Sequence, residues 1–159
     1  MKSKFLLVPA ILIACSIANA QTAPQQEVAV NSKASSTAAT NLPVYADYRG
    51  ITIGMSADEV RSKLNGIKKG DGQDLLAFSE HESAQIYYDD KGKVTAISID
   101  YFGDKNGAPT PEAVLGTAIE AKPDGSMYQL NRYGDAGYWV SYNRTAGAKP
   151  IVTITMQKM

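Results

Sequence analysis

The chain has 159 residues with 16 basic and 16 acidic side chains, so its formal net charge is zero. This length predicts one domain of ordinary size. The sequence lacks the cluster of Lys and Arg that phosphate neutralisation requires, which argues against a nucleic-acid binder. A single His and a single Cys exclude most zinc sites and most nucleophilic catalytic sets. We therefore predict no cofactor and no enzymatic activity.

The first 20 residues are typical of a secretory signal peptide. Two lysines precede the apolar residues 5–17, and Ala18-Asn19-Ala20 supplies the small residues that precede a cleavage site. The apolar stretch is shorter than the roughly 20 residues of a membrane span. Residues 12–15 also resemble a bacterial lipobox, in which Cys15 would be acylated and become the new N-terminus. Both routes predict an exported protein that is periplasmic, with an outer-membrane anchor in the second case.

The residues after the leader predict a flexible linker. From residue 21 to about residue 40 the chain is rich in Gln, Ala, Ser, Thr and Val, with Glu27 and Lys33 as its charges. Such a segment cannot bury enough apolar area to offset its conformational entropy. We place the linker at residues 21–43 and a single folded domain at residues 44–159.

The first predicted helix has a clear start signal. Ser56 and Glu59 have the spacing of a capping box, and Asn65-Gly66 is a typical stop. We expect a helix of about three turns.

A β-hairpin follows this helix. Apolar and polar residues alternate over residues 83–88 and 96–101, and Asp-Asp-Lys-Gly at residues 89–92 turns the chain. Gly92 suits the positive φ of a bulged hairpin turn. A further strand is predicted at residues 75–79.

The second half of the domain repeats this order. Thr110, Pro111 and an acidic residue begin a second short helix, and strand patterns follow at residues 126–133, 138–144 and 151–157. Ser56 to Thr110 and Ile86 to Val140 are each 54 positions. This spacing indicates tandem α-β-β-β repeats at about residues 54–103 and 108–157.

The predicted fold class is α+β with two layers. The two repeats would form one antiparallel sheet with both short helices on one face, leaving the other face open. Strand parity places Tyr88 and Tyr142 in the core, and Tyr87 and Trp139 on the open face. We select Tyr87, Trp139 and Tyr128 as candidate partner-binding residues, because aromatic side chains are enriched at interface hot spots.

Two short segments carry a family resemblance. Gly54-Met55-Ser56-Ala57-Asp58-Glu59-Val60 with the four residues after it, and Tyr87-Tyr88-Asp89-Asp90-Lys91-Gly92-Lys93-Val94, resemble the SmpA/OmlA (BamE-like) family of small envelope lipoproteins. The duplicated organisation is similar to the β-lactamase inhibitory protein fold. The resemblance implies a non-enzymatic module that binds proteins at or near the bacterial outer membrane. One departure is that the family helix commonly ends in Leu-Gly-x-Pro, whereas Leu64-Asn65-Gly66-Ile67 has no proline. Members of the family often belong to the barrel-assembly machinery of the outer membrane. The missing proline and the second repeat favour a less specialised relative of the same architecture over a component of that machinery.

Three hypotheses on function remain open at this stage. The first is a module that binds a protein partner in the cell envelope, in envelope assembly or maintenance. The second is a glycan or small-ligand module that uses the same aromatic side chains as stacking surfaces. The third is a hydrolase in which His81 acts with carboxylates. Asp89 and Asp90, with Asp100, are a separate candidate for a calcium site or paired catalytic carboxylates, although Asp-Asp-Lys-Gly is also what a hairpin turn requires. We predict no metal and no nucleic-acid partner, and membrane contact only through a lipid on Cys15.

Overall fold

A computed structural model describes residues 42–103 and 107–159. The predicted signal peptide, the alternative lipid site at Cys15 and the linker up to residue 41 lie outside the described residues. Among the residues that are described, no helix is both long and apolar enough to cross a membrane. The elements in chain order are α1 (Ala57–Lys63), β1 (Lys68–Lys69), β2 (Gln73–Ala77), β3 (Glu82–Tyr88), β4 (Val94–Phe102), α2 (Pro111–Leu115), β5 (Met127–Tyr133), β6 (Tyr138–Arg144) and β7 (Ile151–Lys158).

The strands form one antiparallel sheet in the order β1-β2-β3-β4-β7-β6-β5. Consecutive strands pair as hairpins on each side, and β4 pairs with β7 in the middle. In the part of the chain that the structure describes, seven antiparallel strands with two short helices confirm the predicted α+β class.

One face of the sheet is buried. Alternate residues of the strands point into the core, as the period of two requires. Val60 and Leu64 from the α1 region, and Val114 and Leu115 of α2, join the same core. The sheet residues of this core are Leu76, Ala84, Ile86, Val94, Ile97, Ile99, Tyr101, Tyr133, Tyr138, Val140, Tyr142, Val152, Ile154 and Met156.

Both helices begin at the residues that the sequence predicts. The Ser56 hydroxyl accepts from the Glu59 backbone N–H while the Glu59 carboxylate accepts from the Ser56 N–H, which is a complete capping box. Thr110 caps α2, and Gly116 ends it in the left-handed conformation at φ 75°. Helix α1 is shorter than expected, since the chain becomes extended at Leu64 before Asn65-Gly66 is reached.

The first hairpin also forms as expected, with a bulge at Tyr87/Tyr88 and Gly92 at φ 67°. Strand β2 lies two residues earlier than the predicted strand at residues 75–79. The reason is Asp74, a fully buried carboxylate that interrupts the apolar pattern used to find the strand.

Two features were not predicted. Tyr48 and Ile51 are buried in the core although they belong to no regular element. They flank a tight turn in which Arg49 and Gly50 both have positive φ, at 53° and 77°. Strand β1 was also missed, because a two-residue strand has no periodicity to detect.

Candidate binding surface

The sheet has a second face, opposite the core, which we call the open face. Its side chains follow from strand parity and from the observed register. They are Lys68, Gln73, Leu75, Ala77, Ser83, Gln85, Tyr87, Ala96, Ser98, Asp100, Phe102, Ile151, Thr153, Thr155, Gln157, Trp139, Ser141, Asn143, Tyr128, Leu130 and Arg132. The set is rich in uncharged polar groups, and Lys68, Asp100 and Arg132 are its ionisable side chains other than tyrosine.

Tyr87 and Trp139 lie in one row across the open face. Tyr87 pairs with Ala96, Ala96 with Gln157, and Gln157 with Trp139. Three strand spacings therefore separate the two aromatic side chains, about 14 Å along the sheet. Tyr87 is 36% exposed, whereas Trp139 is half-buried among its neighbours. Both residues were predicted to lie at the surface, and the strand register puts both on the open face.

Tyr128 lies on the same face but in a different row. It belongs to β5 at the sheet edge, pairs with Asn143, and is 60% exposed. The structure therefore puts all three candidate residues on one face, although Tyr128 is separated from the row that holds the other two.

Sequence reasoning missed further apolar side chains on this face. Phe102, 36% exposed, pairs with Ile151 at the ends of β4 and β7. Leu75 on β2 is also exposed. The signal was available, because Phe102 has the same strand parity as Ser98 and Asp100, which makes it an outward-facing residue.

The middle of the open face is polar and satisfied by its own cross-strand contacts. The Thr153 hydroxyl donates to Asp100 Oδ1 at 2.7 Å, and the hydroxyls of Ser98 and Thr155 are 3.4 Å apart. Next to them a shallow depression of about 420 Å³ is lined by Tyr87, Thr95, Ala96, Ser98, Thr155 and Gln157. A flat polar centre with aromatic side chains around it can hold a ligand by contact area and hydrogen bonds.

His81 lies in the turn between β2 and β3 and is largely exposed, with Glu80 Oε1 at 3.4 Å from its Nε2. Asp89 serves the hairpin turn, since its Oδ1 accepts from the N–H groups of Lys91 and Lys93 at 2.9 Å. The structure does not bring Asp89 to His81. Within the described ranges, no group of three His, Cys, Asp or Glu side chains is arranged to hold a metal ion.

An ion pair between the buried Asp74 and the partly exposed Arg61 lies on the core side of the sheet, away from the open face. Arg61 donates two hydrogen bonds to Asp74, at 2.9 Å from Nε and 3.0 Å from Nη2. The Tyr88 hydroxyl donates to Asp74 Oδ2 at 2.8 Å. Burial, followed by this hydrogen bond, raises the pKa of Tyr88. Both carboxylate oxygens of Asp74 accept hydrogen bonds from these residues, so we assign this cluster to holding α1 on the sheet.

A second polar cluster anchors the turn at Arg49. Tyr48 donates to Glu82 Oε1 at 2.6 Å, and Arg49 Nη2 lies 2.8 Å from Glu82 Oε2. The Arg49 guanidinium also stacks 4.1 Å above the Phe78 ring centroid, a cation–π contact. The hydrogen bond to Glu82 raises the pKa of Arg49. These contacts hold Arg49 in its left-handed backbone conformation.

Comparison with known proteins gives no relatives for this fold and surface. No family model, no curated protein and no solved structure matches the chain.

Proposed function

We propose that the chain is a non-enzymatic binding module that holds a protein partner on its open face. The observation that supports this best is the position of Tyr87, Tyr128 and Trp139 on one side of one sheet. Aromatic side chains bury large areas at small entropic cost, and they dominate many interfaces. Binding would use contact area and hydrogen bonds, with no bond made or broken in the partner.

A photocrosslinking residue at position 87 tests this proposal directly. We expect a defined adduct in envelope extracts that excess unmodified protein competes away. The matched control is the same crosslinker at Glu112, an exposed position on α2 that is not part of the open face. Adducts of equal yield at both positions would show that the open face has no special role.

A second candidate is a neutral glycan, favoured by the uncharged polar side chains between the aromatic ones. Gln85, Ser98, Thr155 and Gln157 can donate and accept hydrogen bonds with sugar hydroxyls. The single tryptophan, Trp139, lies on this face and supplies the measurement. A saturable change of Trp139 fluorescence on addition of an oligosaccharide, without any protein adduct at position 87, would show that the ligand is a glycan and not a protein.

We also propose that the module belongs to the cell envelope. The leader at residues 1–20, the lipobox-like residues 12–15 and the BamE-like resemblance support this location. Mass spectrometry of the mature N-terminus separates a free chain that starts at Gln21 from a chain acylated at Cys15. A mature chain that retains Met1 would contradict export.

The proposed architecture is a two-layer tandem repeat. Two three-stranded units, β2-β3-β4 and β7-β6-β5, meet at the centre of the sheet, and both helices contribute to the same core. The residue numbers of the two units do not differ by one constant. Ile86 corresponds to Val140, but the partner of Ile86 is Ile97 and the partner of Val140 is Met156, which are further apart in the sequence. Duplication followed by changes in loop length is compatible with this register.

A further inference from the structure

The connection between α1 and β1 contains an asparagine that is followed by a glycine. Leu64 ends α1, and its N–H donates to the Val60 carbonyl at 3.1 Å. Asn65 and Gly66 then form an exposed bend before β1 begins. Within the described ranges, residues 65–67 make no backbone–backbone hydrogen bond, and the Asn65 side chain has no partner. The bend therefore lacks the contacts that hold a peptide unit in one conformation.

The surroundings of Gly66 suit an attack of its nitrogen on the Asn65 side chain. Glycine has no Cβ that would hinder an approach to this nitrogen. Its N–H has no acceptor in the part of the chain that the structure describes. Apart from the two neighbouring residues, no atom lies within 4 Å of the point where a Cβ would stand. Water and the Asn65 amide can therefore both reach this peptide unit.

We propose that Asn65 is a site of spontaneous deamidation. The Gly66 nitrogen loses its proton and bonds to Asn65 Cγ. The Cγ–Nδ2 bond breaks, and Nδ2 takes up the proton and leaves as ammonia. Water then opens the resulting five-membered cyclic imide at either carbonyl, which gives an aspartate or an isoaspartate at this position. Water is the co-reactant, and no group is oxidised or reduced.

The other asparagines that the structure describes are not placed for this reaction. Asn131 and Asn143 lie in β5 and β6, and each is followed by an arginine. The Asn131 side chain accepts a hydrogen bond from Gln129 Nε2 at 3.0 Å. Asn143 lies in a strand that is paired on both sides, with Tyr128 and Thr153 as its neighbours. Within the described ranges, the structure thus singles out Asn65.

Both products change the connection between α1 and β1. Each replaces a neutral amide by a carboxylate, so the formal net charge of zero becomes more negative by one. An isoaspartate also adds a methylene group to the main chain, between the buried Leu64 and Ile67, which packs against the core. A longer link between two anchored residues should loosen the end of α1 and the adjoining β1. This inference concerns the connection and holds whatever the open face binds.

Peptide mapping by mass spectrometry, during incubation of the purified protein in mildly alkaline buffer, tests the proposal. We expect Asn65 to convert about tenfold or more faster than Asn143, because a paired strand must open before its asparagine can cyclise. The mapping separates this site from a second Asn-Gly pair at residues 106–107, whose asparagine lies outside the described residues. An isoaspartate-specific methyltransferase should label the product, since direct hydrolysis of the amide would give aspartate alone.

Asn65→Gln is the matched variant. Glutamine keeps an exposed amide before Gly66 but would have to form a six-membered ring, so conversion at this position should stop on the same time scale. In the converted protein, the amides of α1 and β1 should exchange faster with deuterium, whereas those of β6 should not change. An Asn65 that converts no faster than Asn143, or a product without isoaspartate, would overturn the proposal. Unchanged exchange of α1 and β1 in the converted protein would overturn the expected loosening.

Discussion

Asp74 is the residue on which the sheet and α1 depend most directly. Its side chain is fully buried and accepts hydrogen bonds from Arg61 and Tyr88. Asp74→Ala would leave the Tyr88 hydroxyl without its acceptor and the partly exposed Arg61 without its counter-ion. We expect the free energy of unfolding to fall by about 2 kcal/mol, because the buried hydrogen bonds to Asp74 are lost while Arg61 can still be solvated. Urea unfolding measures this.

Asp135→Asn is the matched control for that substitution. Asp135 is an exposed carboxylate in the turn between β5 and β6. Its replacement should change the free energy of unfolding by less than about 0.5 kcal/mol, as is usual for surface positions. Equal losses for the two variants would mean that Asp74 contributes through net charge and not through its hydrogen bonds.

The buried tyrosines predict how stability changes with pH. Burial raises the pKa of Tyr48, Tyr88, Tyr101 and Tyr142 in the folded chain, with hydrogen bonds to carboxylates adding to the effect at Tyr48 and Tyr88. In the unfolded chain a tyrosine ionises near pH 10. The stabilisation from these neutral side chains is therefore complete below about pH 10 and is lost as the pH rises toward their folded pKa values.

Urea unfolding at a series of alkaline pH values, combined with tyrosinate absorbance, measures this dependence. We expect the free energy of unfolding to decline above about pH 10. The absorbance of the buried tyrosines should increase together with unfolding. Ionisation of all nine tyrosines in a chain that stays folded would contradict the expectation.

For single residues, the sequence predicted which side of the sheet a side chain faces, but it did not predict the hydrogen-bond partners of the buried side chains. Alternation alone identified Tyr87 and Trp139 as outward-facing, because a strand has only two sides. The pairing of Asp74 with Arg61 could not be predicted, since it joins a helix and a strand whose packing depends on the whole core. Phe102 was overlooked although its parity was known.

Helix α1 is an element that depends on its cap. Its seven residues are fewer than an isolated helix needs to be stable. Ser56→Ala should lower the free energy of unfolding by about 1 kcal/mol, because it leaves the N–H of Glu59 without its acceptor. Thermal or urea unfolding checks the value.

Ser62→Ala is a matched control within the same helix. The Ser62 hydroxyl donates to the carbonyl of Glu59 at 2.7 Å, a contact of the exposed helix interior. Alanine has the higher helix propensity, so this variant should be neutral or slightly more stable. A loss as large as that of Ser56→Ala would exclude capping as the cause.

Regular elements were predictable where local chemistry determines them. Strands β5, β6 and β7 begin and end within one residue of the predicted ranges, because alternation continues up to a turn. Strand β1 and the buried residues Tyr48 and Ile51 have no such signal. Their positions depend on surfaces contributed by distant parts of the chain, as does the register of β4 on β7 that aligns Tyr87 with Trp139.

The domain should unfold as one unit, because both halves share the core and the central β4–β7 pair. The described residues 42–103 and 107–159 belong to one compact unit. Ile86→Ala, a deletion of fully buried volume in the first half, should cost about 3 kcal/mol. We expect Trp139 fluorescence, which reports on the second half, to show this loss in full.

Circular dichroism recorded on the same samples supplies the comparison. Its transition should coincide with that of Trp139 fluorescence in the original protein and in Ile86→Ala. If the Trp139 midpoint stays unchanged while the circular dichroism transition shifts, the two halves unfold separately.

The central position of β7 affects how the chain folds during its synthesis. Strand β7 is the last of the seven to leave the ribosome, yet it belongs between β4 and β6. Until it is synthesised, both neighbours lack a pairing strand, and the growing polypeptide offers chaperones and proteases two unsatisfied edges. A nonsense codon before residue 151 would therefore yield a product for degradation, and not a smaller working domain.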